Sequence, residues 1–115
     1  MKKVLLFTAA AEAATGLALL VAPSLVAWLL LGQELNGVAV PIARVTGLAL
    51  IGLGIACWPG MLLAGILTYS ATVTLYLSYA GIVGGFTGIL LWPAILVHAV
   101  LSVLLAREWW FRSSR

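Results

Sequence analysis

The sequence predicts an all-α fold, a polytopic membrane protein whose four transmembrane helices form a bundle. Hydrophobic residues make up 64% of its 115 residues and charged residues only 8%, whereas about a quarter of the residues in a soluble domain are charged. Its four apolar stretches each approach the ~20 residues that a helix needs to cross a bilayer. We therefore expect residues 1–115 to form a single integral membrane domain without a soluble catalytic domain.

The first span is expected at about residues 4–22. Pro23 should end it, because proline lacks a backbone donor and clashes with the preceding turn. Ser24 is then expected to cap a short interfacial helix at about residues 24–31. A secretory signal cleaved near residues 9–11 is an alternative, but apolar residues continue through Ala22 and on to Leu31. This continuity favours a membrane span.

The second span is expected at about residues 39–58 and the third at about 61–83. Pro59 and Gly60 lie between them and predict a tight turn, so these two spans should form an antiparallel hairpin. A glycine-rich stretch at residues 84–88 predicts the next turn, and the fourth span is expected at about residues 89–106. The aromatic and basic residues at 107–112 are typical of a chain settling into the membrane interface.

The basic residues predict the orientation of the chain. Five of the six lie at the two termini, and the loop at residues 32–40 contains Glu34 but no Lys or Arg. Cytoplasmic segments of membrane proteins are enriched in Lys and Arg. We therefore expect a multi-pass protein of a bacterial inner (cytoplasmic) membrane with both termini in the cytoplasm. This distribution indicates topology, and no nucleic-acid partner is expected.

Each expected span has one polar or small-residue stripe at helical spacing. We expect these stripes to face inward, where hydroxyl groups would bond between helices. The stripes are Thr8, Glu12 and Thr15; Arg44, Gly47, Ile51 and Gly54; Tyr69, Thr72, Tyr76 and Tyr79; and His98 with Ser102.

Glu12 is the most informative residue in these stripes, because a charge at the centre of a span costs roughly 2.5–3.5 kcal/mol on insertion scales. With a rise of ~1.5 Å per residue, Glu12, Tyr69 and His98 share a layer, and Arg44 lies near the level of Tyr76. We expect Glu12 to be ionised and paired with Arg44 or His98, so that its loss lowers stability. The alternative is a neutral acid that exchanges protons or binds a ligand.

Motifs of the common enzyme classes are absent from the sequence: it contains no GxSxG, HExxH, CxxC or P-loop pattern. Cys57 is the only cysteine and His98 the only histidine, so no metal site is expected. An enzyme is not the favoured interpretation, and the residues predict no particular cofactor. Tyr69, Tyr76 and Tyr79 are suited either to packing or to lining a pocket for a flat apolar ring.

The first half of the chain resembles the DoxX-like group of small four-helix bacterial membrane proteins. The resemblance rests on Glu12, Thr15-Gly16, Ala22-Pro23-Ser24, Ala43-Arg44-Val45-Thr46-Gly47 and Gly52. That group includes subunits associated with quinone-linked oxidation. The resemblance therefore implies an accessory subunit or a small-molecule-binding protein.

Ala11-Glu12 in the first of four spans also resembles the small multidrug resistance transporters, in which a glutamate of the first helix exchanges protons for a cationic drug. The sequence departs from that family in two respects. Arg44 in the second span would repel a cation, and the third span lacks the aromatic-glycine motif of the family.

Together these observations predict a membrane protein that binds a hydrophobic, quinone- or lipid-like molecule, or that serves as an accessory subunit. The expected ligand-binding residues are Glu12, Arg44, Tyr69, Tyr76 and His98. The expected partners are the lipid membrane, the small molecule, and either further copies of the chain or a larger membrane complex. A proton-coupled exporter that uses Glu12 is the alternative.

The predicted topology is testable by cysteine labelling with an impermeant thiol reagent. A cysteine at Gln33 should be labelled from outside the cell, and one at Ser114 only from inside. The reverse labelling would contradict the predicted orientation.

Overall fold

The structure, a computed structural model, describes residues 2–113; the proposed labelling position Ser114 lies outside this range. Four of its helices are long and apolar enough to cross a membrane, which confirms the all-α membrane fold. The described residues form no β-strand. The helices are α1 (Lys2–Val21), α2 (Pro23–Leu31), α3 (Ala39–Ala56), α4 (Leu62–Ile82) and α5 (Leu91–Ser113).

Pro23 separates α1 from α2 as predicted. It occupies the first turn of α2, after the non-helical Ala22 (φ −137°, ψ 65°). The prediction for Ser24 was wrong, because Ala22 is the N-cap residue and no side chain caps the helix. The Ser24 hydroxyl donates instead to the carbonyl of Leu35 at 3.4 Å. Ser24 therefore links α2 to the following loop.

The hairpin of α3 and α4 forms around the predicted turn, where Gly60 has a positive φ of 75°. The last helix differs from the expectation. It begins at Leu91, with Pro93 inside its first turn, and it continues past Ala106 to Ser113. The aromatic and basic segment is thus the final part of a long helix.

The four long helices form an open bundle, arranged in the row α1, α3, α4, α5. Each packs against its neighbour in this order, and within the described residues α1 and α5 do not touch. The molecule measures 47 × 35 × 16 Å, and one helix with its side chains is about 10–12 Å thick. The row is therefore little more than one helix deep.

Neighbouring helices in the row run antiparallel. Gly16 of α1 lies against Gly47 of α3, while Ala9, earlier in α1, lies against Gly54, later in α3. The same alternation at the other two contacts brings the start of α1 and the end of α5 to the same end of the molecule. Lys2 and Ser113 therefore lie at the same end of the molecule, and the orientation of that end in a membrane stays a prediction. The labelling test requires replacement of the free and partly exposed Cys57.

Small residues set the distance between the helices. A Cβ atom added to Gly16 would lie 2.5 Å from the carbonyl oxygen of Gly47. On the opposite side of α3, a Cβ atom added to Gly65 of α4 would lie 2.5 Å from the carbonyl oxygen of Gly52. Such contact between backbones is a common basis of helix association in lipid.

Within residues 2–113, hydroxyl groups do not link the helices, contrary to expectation. Apart from Ser24, the hydroxyls of the helical Thr and Ser residues that donate hydrogen bonds do so to a carbonyl one turn earlier in their own helix. This arrangement uses the single donor of each hydroxyl within its own helix. The donors are Thr8, Thr15, Thr46, Thr72, Thr74, Ser78 and Ser102.

Replacement of Gly16 tests the importance of the close contact. We expect Gly16→Leu to destabilise the folded protein by about 1–3 kcal/mol, the usual effect of overpacking, because the added side chain would meet the backbone of α3. Ala14→Leu is the control, since Ala14 is an exposed residue of the same helix. Thermal unfolding in detergent measures both. Equal melting temperatures for the two variants would contradict this account of the packing.

Candidate functional site

Arg44 lies in the second turn of α3 and faces the last turns of α4. There it lines a cavity of about 250 Å³ together with Tyr76 and Tyr79. Arg44 and Tyr76 are half-buried, and Tyr79 is 59% exposed. The structure thus brings together two of the predicted site residues, Arg44 and Tyr76. The remaining lining residues are Gly37, Val40, Pro41, Ala80, Gly84 and Phe86.

The guanidinium group of Arg44 forms no ion pair within residues 2–113. The one ion pair in this part of the chain joins Arg112 to Glu108. A guanidinium group is permanently charged and has five N–H donors. Because the described residues place no carboxylate on Arg44, its donors are available to an oxygen acceptor in the cavity.

A larger and almost wholly apolar groove adjoins this cavity, with a volume of about 430 Å³. It runs between α3, α4 and the start of α5. The residues common to both are Pro41, Ala80 and Phe86, so these three form a wall between the two spaces. The other residues that line the groove are Val38, Ile42, Val45, Thr46, Leu77, Thr87, Gly88 and Leu91.

Phe86 was not among the predicted site residues, because the sequence assigned residues 84–88 only to a turn. A signal was nevertheless present: a single large aromatic residue within the run Gly84-Gly85-Phe86-Thr87-Gly88. A turn alone does not require an aromatic ring. In the structure Phe86 contributes to both cavities.

Tyr69 and His98, which were expected at a common depth, meet at the contact between α4 and α5. Their rings lie edge to face, with centroids 5.9 Å apart and an angle of 73°. Nδ1 of His98 lies 2.8 Å from the carbonyl oxygen of Ala94 in its own helix. A carbonyl can only accept, so Nδ1 carries the proton in this contact.

Glu12 is paired neither with Arg44 nor with His98, which corrects the expected ion pair. His98 belongs to α5, and α3 and α4 separate that helix from α1. Arg44 lies far from Glu12 along the helix axis. Because Gly16 lies opposite Gly47, Glu12 lies one turn to one side of this contact and Arg44 nearly one turn to the other. They are therefore offset by roughly 10 Å at 1.5 Å per residue.

The five predicted residues thus fall into three places: Arg44 with Tyr76, Tyr69 with His98, and Glu12 by itself. Within residues 2–113, no group of three or more His, Cys, Asp or Glu side chains is placed to hold a metal ion. The arrangement provides one cationic cavity beside an apolar groove. It does not provide a continuous polar seam through the bundle.

No protein-family model, curated protein or solved structure matches this chain. The resemblances to the DoxX-like group and to the small multidrug resistance transporters therefore remain predictions from the quoted residues.

The position of Glu12 changes the effect expected of Glu12→Gln on stability, which the sequence predicted to be a loss. No described cation pairs with Glu12, so Glu12→Gln breaks no ion pair and removes a carboxylate from an apolar span. We therefore expect a melting temperature equal to or above that of the wild type. Glu108→Gln is the control, since its exposed ion pair should contribute only about 0.3–0.5 kcal/mol. A clear fall in the melting temperature of Glu12→Gln at neutral pH would restore the ion-pair hypothesis.

Proposed function

We propose that this small integral membrane protein binds a hydrophobic, quinone- or lipid-like molecule. The polar head of the ligand lies at Arg44 and Tyr76, and its apolar part lies in the groove between α3, α4 and the start of α5. One observation supports this most directly. Arg44 has no carboxylate partner among the described residues and opens into a cavity that shares a wall with the apolar groove.

The chemistry of the two spaces is complementary to an amphiphile. The guanidinium group of Arg44 can donate to a quinone carbonyl, a carboxylate or a phosphate, and such charge-assisted hydrogen bonds are the stronger kind. Tyr76 and Tyr79 offer flat rings beside it. The groove volume of about 430 Å³ falls within the range of about 300–1,000 Å³ that is usual for small-molecule sites.

Association with further copies of the chain or with a larger membrane complex is part of the proposal. Its support is the open row, in which α1 and α5 each pack against only one other long helix. An accessory subunit that presents a bound ligand to a larger complex would combine both roles. The favoured location is a bacterial inner membrane with both termini in the cytoplasm.

A proton-coupled exporter that uses Glu12 is the second candidate. The observation in its favour is that Glu12 is half-buried in the first helix without a cation partner among the described residues. The two candidates differ in their use of Glu12. An exporter needs its carboxylate for substrate exchange, whereas ligand binding at Arg44 does not.

Binding to the purified protein in detergent tests the proposal, with decylubiquinone and oleate as probes. We expect Arg44→Gln to raise the Kd for the bound probe about tenfold, which corresponds to ~1.4 kcal/mol. Gly88→Leu should weaken binding as well. No atom lies within 4 Å of a Cβ added at Gly88, so the leucine can occupy the groove without a clash.

Arg112→Gln is the control, because its cation is exposed and paired with Glu108 outside both cavities. It should bind like the wild type, and so should Glu12→Gln. Loss of binding in Glu12→Gln alone would favour the exporter. Unchanged affinity in both Arg44→Gln and Gly88→Leu, or no binding of either probe by the wild type, would contradict the proposed site.

A further inference from the structure

A second groove lies at the opposite end of the molecule, on the last turns of α5. It is lined by Val103, Ala106, Arg107, Trp110 and Phe111 and has a volume of about 380 Å³. These residues recur at helical spacing along one side of α5. The groove shares no residue with the two cavities beside Arg44, so inferences about it do not depend on the proposed function.

Of the two arginines near this groove, Arg112 has a carboxylate partner, and Arg107 has none among the described residues. Nε of Arg112 lies 3.4 Å from a carboxylate oxygen of Glu108, so these two residues neutralise each other. Arg107 lies over the ring of Phe111, with its guanidinium carbon 5.8 Å from the ring centroid, and no carboxylate of the described residues pairs with it. The groove therefore has one uncompensated cation at its edge.

The surroundings of the groove also favour an anion. The antiparallel row places the start of α1, with Lys2 and Lys3, at the same end of the molecule as Arg107. On the side of Arg107 toward the middle of α5, the groove is lined by the apolar residues Val103 and Ala106. Trp110 is 71% exposed, and tryptophan is enriched at the level of lipid headgroups.

We propose that this groove binds one anionic phospholipid. Arg107 contacts the phosphate, Trp110 lies at the level of the headgroup, and an acyl chain follows Val103 and Ala106 toward the centre of the membrane. Charge complementarity selects this occupant over a zwitterionic lipid, whose own amine would compensate its phosphate. The apolar lining selects it over a free anion, which would gain nothing from Val103.

Native mass spectrometry of the full chain in detergent tests the site, with equimolar phosphatidylglycerol and phosphatidylcholine as the lipid probes. We expect the wild type to retain phosphatidylglycerol about fivefold more often, the ratio expected of one basic residue near an anionic lipid surface. Arg107→Gln should reduce this ratio to about one. Arg107→Lys, which keeps the charge, should retain most of the preference.

Arg112→Gln is the matched control, because Arg112 lies at the same end of α5 and its cation already has a carboxylate partner. Its ratio should stay within about twofold of the wild type, because Arg112 does not line the groove. An equal loss in Arg112→Gln and Arg107→Gln would overturn the proposal in favour of general surface charge. An unchanged ratio in Arg107→Gln would overturn it as well.

Two further measurements identify the bound species and its position. Excess inorganic phosphate should leave the phosphatidylglycerol bound, because the acyl chain also contacts the groove; displacement by phosphate would indicate a free-anion site and overturn the lipid assignment. Arg44→Gln should leave the fivefold ratio unchanged. A loss of the ratio in Arg44→Gln would place the lipid in the other cavity.

Discussion

The rest of the structure depends on the close backbone contacts that α3 makes with α1 on one side and with α4 on the other. Gly47 and Gly54 bring α3 against α1, and Gly52 brings it against α4. Glycine at these positions allows close approach of the helices in a solvent where hydrophobic burial gives no driving force. With both sides of α3 occupied in this way, α1 and α4 lie on opposite sides of it, and the helices follow one another in a row.

The row determines which polar residues can meet. Within the row, the contact of Gly16 with Gly47 sets the register of α1 on α3. This register places Glu12 and Arg44 apart along the helix axis. The row also places two helices between Glu12 and His98. Within residues 2–113, no ion pair joins two helices, and the hydroxyl donors of the long helices bond to carbonyls of their own helix. Arg44 is left to face a cavity, where it is available to a ligand.

The sequence was sufficient to predict the helices, because apolar length and proline position are local signals. Pro23 separates α1 from α2, and Gly60 turns the chain between α3 and α4. Depth along the helices also placed Tyr69 and His98 in one layer, where their rings meet. The pairing of Glu12 was not predictable, since periodicity gives the face of a helix but not the helix that covers it. Phe86 was missed because it lies in a turn, where no periodicity applies.

The two ends of the molecule hold their cations in different ways, and the difference follows from the position of each residue in its helix. Arg44 lies in the second turn of α3, so packing against α4 half-buries its side chain among tyrosine rings. Arg107 lies in the last turns of α5 beside exposed aromatic residues. A guanidinium group enclosed between helices can discriminate between small ligands by shape. One at an exposed helix end is open to any anion, so only the apolar residues beside it can favour a lipid.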